Sequence, residues 1–282
     1  MIYLEDEETV IVCRHECPKI VTIGNVNVIE KTHEIIQLEI SLNQLEKGGY
    51  PHFMLKKNFE RPRTLRDCMR GRIDVDCKHI VLSGILDHKE PFCNAKRIII
   101  LACGTSWHAG RIGEYLLEEF CRIPVEVEYS SEFRHRNPVI YPDDVVIAIS
   151  QSGETADTLA AINAAREAGA FVYGICNVVG SSIARNTHSG SYTHVGPRNR
   201  RASAKAFTAQ LMVLAMMSLC IAREKKTISE NRFLKLLKEL NRIPDKVERI
   251  IRAGESIKTL LGIFTYARNF IYPGRDYNYP VI

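Results

Sequence analysis

The chain has 282 residues, of which 45% are hydrophobic and 25% charged, and its formal net charge is +5. That length buries a core and suits one large or two ordinary domains, and the composition excludes a disordered or fibrous chain. The mild charge excess lacks the clustered basic face and interleaved aromatics of a nucleic-acid binder, so no nucleic-acid partner is expected.

Nine cysteines are scattered without paired spacing. With no signal peptide, this pattern predicts a reducing, cytoplasmic setting. Cys13-Arg14-His15-Glu16-Cys17 offers three metal-ligand types but no distant second pair. It is read as exposed hairpin residues, and no metal or cofactor is expected.

Residues 1 to about 40 alternate in strand fashion: Val10 and Val12, then Ile20, Val21 and Ile23, then Val26, Val28 and Ile29 after the turn at Gly24-Asn25. Such hairpins are too small for a domain of their own. Gly48-Gly49-Tyr50-Pro51 then breaks the chain. Residues 41–90 read as a charged, helical linker, with Pro62 expected in the first turn of a helix.

From residue 91 the pattern changes to strand, turn and helix. Strands are predicted at Arg97–Ala102, Pro124–Tyr129, Val145–Ile149, Phe171–Cys176 and Tyr192–Val195, with helices at 106–120, 154–168 and 180–186. Continuous β-branched runs between helices predict a parallel sheet buried on both faces. The expected fold class is therefore α/β, a doubly wound parallel sheet of about five strands over residues 91–225. Ala206 to Ala222 carries no charge and nearly reaches the length of a membrane span. Gln210 and Lys205 argue against lipid contact, and the segment reads as a fully buried helix, with no membrane partner. A charged helix over Asn231–Ile251 and a strand over Ile263–Tyr272 are expected to follow.

Three strand ends share a chemistry. They read Ala102-Cys103-Gly104-Thr105-Ser106, Ser150-Gln151-Ser152-Gly153-Glu154-Thr155 and Asn177-Val178-Val179-Gly180-Ser181-Ser182. Each carries a glycine, which lets backbone approach a ligand, and hydroxyls, and each opens a helix. Ligands of open α/β sheets sit beyond the carboxyl ends of the strands. Helix N-termini there offer unpaired N–H groups and a positive dipole end. The loops therefore predict an anion cradle of neutral donors. The blander reading is that the serines and threonines only cap helices. Neither a GxGxxG nor a GxxxxGK[ST] pattern occurs, so dinucleotide and P-loop readings fall away. His108 reads as a helix residue with ordinary partners, and Cys103 as a small packed residue.

These residues carry a resemblance. CGTSWHAG, SSEFRHRNPVIYPDDVVIAISQSGETADTL, GSSIAR and ASAKAFTAQ resemble the sugar isomerase (SIS) domain of the glutamine–fructose-6-phosphate aminotransferase family. EKGGYPHFMLK and RDCMRGRI resemble that family's linker, MIYLEDEETVIV the last strands of its glutaminase domain, and GRDYNYP the start of its second SIS domain. The resemblance implies a fructose 6-phosphate site in a pathway of amino-sugar synthesis. By motif it assigns Thr105, Ser106, Ser150, Gln151, Ser152, Thr155 and Ser203 to the sugar phosphate. It further implies a glutaminase remnant over 1–40 and, over 226–282, a connecting helix leading into a second SIS domain. A homodimer through the SIS half is also implied. The family's nucleophilic N-terminal cysteine and its isomerase glutamate have no counterpart in this sequence, so the fragment alone is expected to be inactive. Where the family has GPEIGVASTKAFT this chain has GPRNRRASAKAFT: Arg198, Arg200 and Arg201 replace an acid, a glycine and an apolar residue, the last at a position the resemblance puts near the sugar, either strengthening anion binding or marking a site no longer selected for activity, and Asp276 replaces a glycine. A sugar-phosphate sensor without catalysis is the alternative reading. It lacks the DNA-binding helix-turn-helix such regulators carry, which residues 1–90 do not show.

Overall fold

The computed structural model describes residues 8–14, 19–23, 28–31, 47–196 and 204–281. They fall into two compact units, 1–46 and 47–282. In the first, β1 (Glu8–Ile11), β2 (Lys19–Ile23) and β3 (Val28–Lys31) form an antiparallel meander, with Val10 opposite Ile20 and Ile20 opposite Lys31. The strand pattern read from the sequence is therefore present. Of the Cys13–Cys17 cluster, Cys13 is exposed and free, while residues 15–17 lie outside the described set.

The second unit is a layered α/β domain. It opens with α1 (Phe53–Met69), a small hairpin of β4 (Ile73–Asp74) and β5 (His79–Ile80), and two short helices, α2 (Ser83–Leu86) and α3 (Lys89–Asn94). Pro62 lies in the interior of α1, not in its first turn. The helix starts nine residues earlier than the proline signal suggests. Pro62 is buried, in a helix that packs on the later apolar helix, and tertiary packing of that kind offsets a lost backbone bond.

Then come β6 (Arg97–Ala102), α4 (Thr105–Cys121), β7 (Val125–Tyr129), α5 (Ser130–His135), β8 (Asp144–Ser150), α6 (Ala156–Glu167), β9 (Phe171–Cys176), α7 (Ser182–Arg185) and β10 (Ser189–Tyr192). The strands pair in the order β10-β9-β8-β6-β7, and all four pairings are parallel. This is the five-stranded sheet the sequence predicts. The fifth strand lies three residues before its expected place, at Ser-Gly-Ser-Tyr, because Gly190 packs against the Gly174 backbone where a Cβ would come within 2.6 Å of the carbonyl oxygen. A strand made close-packed by glycine carries no hydrophobic signature.

Both faces of the sheet are covered, which explains the unbroken apolar runs. From β6, Ile98, Ile100 and Ala102 join one core with α4 and with α8 (Ala204–Glu224); Ile99 and Leu101 join the other, with Phe133 of α5 and Ala161 and Ile162 of α6. Every residue of β8 is buried. At its start Asp144, 2% exposed, is held by two bonds from Arg97, which also reaches Glu126 and the Val139 carbonyl.

By length and composition α8 could cross a membrane, yet 67% of its apolar window is buried within the domain. The expected charged helix is in fact two, α9 (Glu230–Asn241) and α10 (Ile243–Arg252), because Pro244 starts a new first turn. No strand forms over Ile263–Tyr272. Instead α11 (Gly254–Ile263) is followed by irregular chain and a 3₁₀ segment, Asp276–Val281. A lone apolar run has no neighbouring strand to pair with among the described residues, and a strand without a ladder leaves its backbone groups unbonded.

Candidate functional site

Strand order places the loops. β6 has β7 on one side and β8, β9 and β10 on the other, so successive crossovers leave the sheet in opposite directions at β6 and β8. At such a reversal the carboxyl ends of neighbouring strands open into a crevice. Ala102 pairs with Ile149 across these two strands, so the loop at 103–106 and the loop at 150–155 start side by side.

The first loop turns at Gly104, whose φ of 58° and ψ of −134° are accessible to glycine and strained for other residues. Thr105 then begins α4. Ser106, in its first turn, is 7% exposed, and its Oγ accepts a hydrogen bond from Gln210 Nε2 at 2.9 Å. The second loop leaves β8 at Ser150, which is 4% exposed. Ser150 Oγ accepts from the Gly153 N–H at 3.1 Å and lies 3.1 Å from Thr155 Oγ1. Ser152 Oγ accepts from the Glu154 N–H at 3.2 Å, and Gln151 Oε1 is buried without a partner among the described residues.

The third loop is tied to the second. Ser182 N–H donates to Glu154 Oε1 at 2.8 Å and Ile183 N–H to the Gly153 carbonyl at 2.9 Å. Asn177, at the end of β9, is occupied by Val195 N–H, Thr193 Oγ1 and the Gly196 carbonyl. Beneath these loops burial pushes the Cys176 thiol up to about 11, so it stays protonated and is no nucleophile.

At the N-cap positions no hydroxyl caps its helix. Gly104, Thr155 and Ser181 are the N-cap residues of α4, α6 and α7, and none of them makes a side-chain capping bond. The N-terminus of α6 thus keeps open N–H groups beside the paired hydroxyls of Ser150 and Thr155, and that of α4 beside Ser106, which Gln210 holds. Chemically this is a cradle for an anion, built from neutral donors. A side-chain hydroxyl does not ionise near neutral pH, so the chemistry of these residues suits holding a ligand and not supplying a general base. Among the described residues no group of three or more His, Cys, Asp or Glu could hold a metal ion.

The family model described as "SIS domain" matches residues 92–219. Those residues are a SIS domain. The whole chain is also similar to one stretch of longer proteins. It is 58% identical over 281 residues to glutamine–fructose-6-phosphate aminotransferase (isomerizing) of Bacteroides thetaiotaomicron, covering 100% of this chain and 45% of that protein. It is 51% identical over 281 residues to the Chlorobaculum tepidum protein of the same name, with the same coverage. Among solved structures, the C-terminal domain of glucosamine-fructose-6-phosphate aminotransferase from Francisella tularensis superposes with a TM-score of 0.77 at 34% identity, covering 84% of this chain and 66% of that one. The resemblance read from the motifs is thus present along the full chain, which spans 45% of the length of these curated relatives.

Of the seven residues assigned by motif, the SIS domain brings six to the carboxyl ends of its two central strands: Thr105, Ser106, Ser150, Gln151, Ser152 and Thr155. Ser203, Arg198, Arg200 and Arg201 lie outside the described residues. His108 is a helix residue as read, and its Nδ1 donates to the Pro280 carbonyl at 2.8 Å. Sequence reasoning missed two residues. Glu154 ties the second loop to the third, and Gln210 stands behind Ser106. In the sequence Gln210 showed only as the last residue of ASAKAFTAQ and as an amide in a long uncharged run.

Proposed function

We propose that the SIS domain binds fructose 6-phosphate, with its phosphate in the cradle of Thr105, Ser106, Ser150, Gln151, Ser152 and Thr155, and that Ser203 meets the sugar. In this reading the chain serves glutamine–fructose-6-phosphate aminotransferase, the enzyme that makes glucosamine 6-phosphate for amino-sugar synthesis. The observation that carries it is the meeting of two hydroxyl loops at the reversal point of the sheet, in a chain similar throughout to proteins of that name. Residues 91–225 are the binding domain, 1–40 the end of a glutaminase domain, 41–90 a linker, and 226–282 the lead into a second SIS domain. A homodimer and a cytoplasmic setting complete the reading; the eight described cysteines are all free, which suits a reducing compartment.

Titration calorimetry of the chain with fructose 6-phosphate tests the reading. Saturable binding is expected, and the double variant Ser150→Ala, Thr155→Ala should lose about 0.5–1.5 kcal/mol for each hydrogen bond removed. Absence of binding, or unchanged affinity in the double variant, overturns it.

A further inference from the structure

Gln210 lies six residues into α8, is 1% exposed, and ends the ASAKAFTAQ stretch without being among the residues assigned to the ligand. Its Nε2 stands 2.9 Å from Ser106 Oγ, 104 residues away in sequence. A primary amide nitrogen only donates, so the serine oxygen is the acceptor of this bond. A serine hydroxyl has one proton, and that proton is then left to be given elsewhere. The described hydrogen bonds give Ser106 no protein acceptor. Ser106 is also in the first turn of α4, where backbone N–H groups are open.

Resting on the phosphate-cradle reading, we propose that Gln210 is a positioning residue that makes Ser106 an obligate hydrogen-bond donor to the phosphate of the ligand. The amide occupies the serine's acceptor side and turns its proton toward the crevice. A group that offers only acceptors, a phosphate oxygen, completes the arrangement. A sugar hydroxyl does so less well, because its own proton then has no acceptor at this serine. The second loop repeats the device with backbone: the Gly153 N–H donates to Ser150 Oγ, and the Ser150 hydroxyl pairs with Thr155. This also accounts for an amide in the middle of a buried apolar helix, since burying one costs free energy unless it is bonded. Gln210 Oε1 has no partner among the described residues, so Nε2 is the end of the amide whose bond is described.

The test is a double-variant cycle on the full 282-residue chain, titrated with fructose 6-phosphate and separately with inorganic phosphate. Ser106→Ala and Gln210→Met are each expected to weaken both ligands by about three- to tenfold, the worth of one neutral hydrogen bond. The double variant is expected to bind as Ser106→Ala does, because Gln210 acts only through that hydroxyl. Gln210→Glu keeps the shape of the side chain while replacing a donor with an acceptor that takes the serine proton; it should weaken phosphate more than Gln210→Met does. Melting curves identify any variant that does not fold, and the Glu and Met variants then substitute for each other. Wild-type affinity in a folded Gln210 variant, or losses that multiply in the double variant, overturns the proposal while the cradle reading stands. A wild-type chain that binds neither ligand overturns both.

Discussion

At Gly153 the chain turns with φ at +69°, and a Cβ built there would lie 2.0 Å from Ser181 Oγ and 2.4 Å from Ser181 Cβ. Both the backbone conformation and the space demand glycine. Gly153→Ala should therefore cost about 1–3 kcal/mol of stability. It should also displace the N–H that bonds Ser150, so fructose 6-phosphate affinity should fall by more than the loss for Ser150→Ala. Thermal melting and calorimetry on the two variants check this, and equal affinities would count against it. At this scale the sequence carried much of the candidate site's placement. A glycine with flanking hydroxyls after an apolar run is a local signal, and Thr105, Ser106, Ser150, Gln151, Ser152 and Thr155 lie where that signal puts them. Gln210 and Glu154 were silent because their meaning lies in partners 104 and 28 residues away, which no local pattern encodes.

Elements show the same division between local and distant information. β6 and β9 begin and end where the unbroken apolar runs do, since strands covered on both faces need no alternation. β10 was misplaced by three residues because glycine packing, not hydrophobicity, makes it a strand. It is also held by the segment before it. His188 Nδ1 accepts the Val172 N–H at 2.9 Å, and the His188 ring stacks on Phe171. Burial and the nearby Arg166 guanidinium lower the His188 pKa from its ordinary 6.5, and burial lowers that of His194 too. A lowered histidine pKa means that the unfolded chain binds more protons, so stability falls as pH drops below 6.5 toward the folded value, and is regained above it. The melting temperature should decline over that interval. His188→Gln, whose amide oxygen can accept the same N–H without titrating, should flatten the decline in part, His194 supplying the remainder. An unchanged slope would remove His188 from the account.

On the scale of the molecule, the parallel pairing of five strands follows from the alternation of strands and helices, a pattern legible before any coordinate, whereas the order β10-β9-β8-β6-β7 is fixed only by the crossovers in the folded chain. The region after α10 was not legible. Ile263–Tyr272 was read as a strand, yet Ile263, Tyr266, Phe270, Ile271 and Tyr272 are all at least half exposed, with Ile271 at 93%, as are Leu260 and Leu261 just before them. Contiguous apolar surface of this kind favours association. Light scattering after size exclusion should find the chain dimeric or larger, and Leu260→Glu with Ile271→Lys should shift it toward monomer. A monomeric wild type would refute this.

One pair of bonds has a consequence beyond its own loop. Ser182 and Ile183 give their N–H groups to Glu154 and Gly153, so the turn after β9 is buttoned to the turn after β8. Whatever stills the first must still the second. The reach of an occupied cradle therefore extends one strand further than the groups that touch its guest, to a segment that senses arrival without ever meeting the visitor.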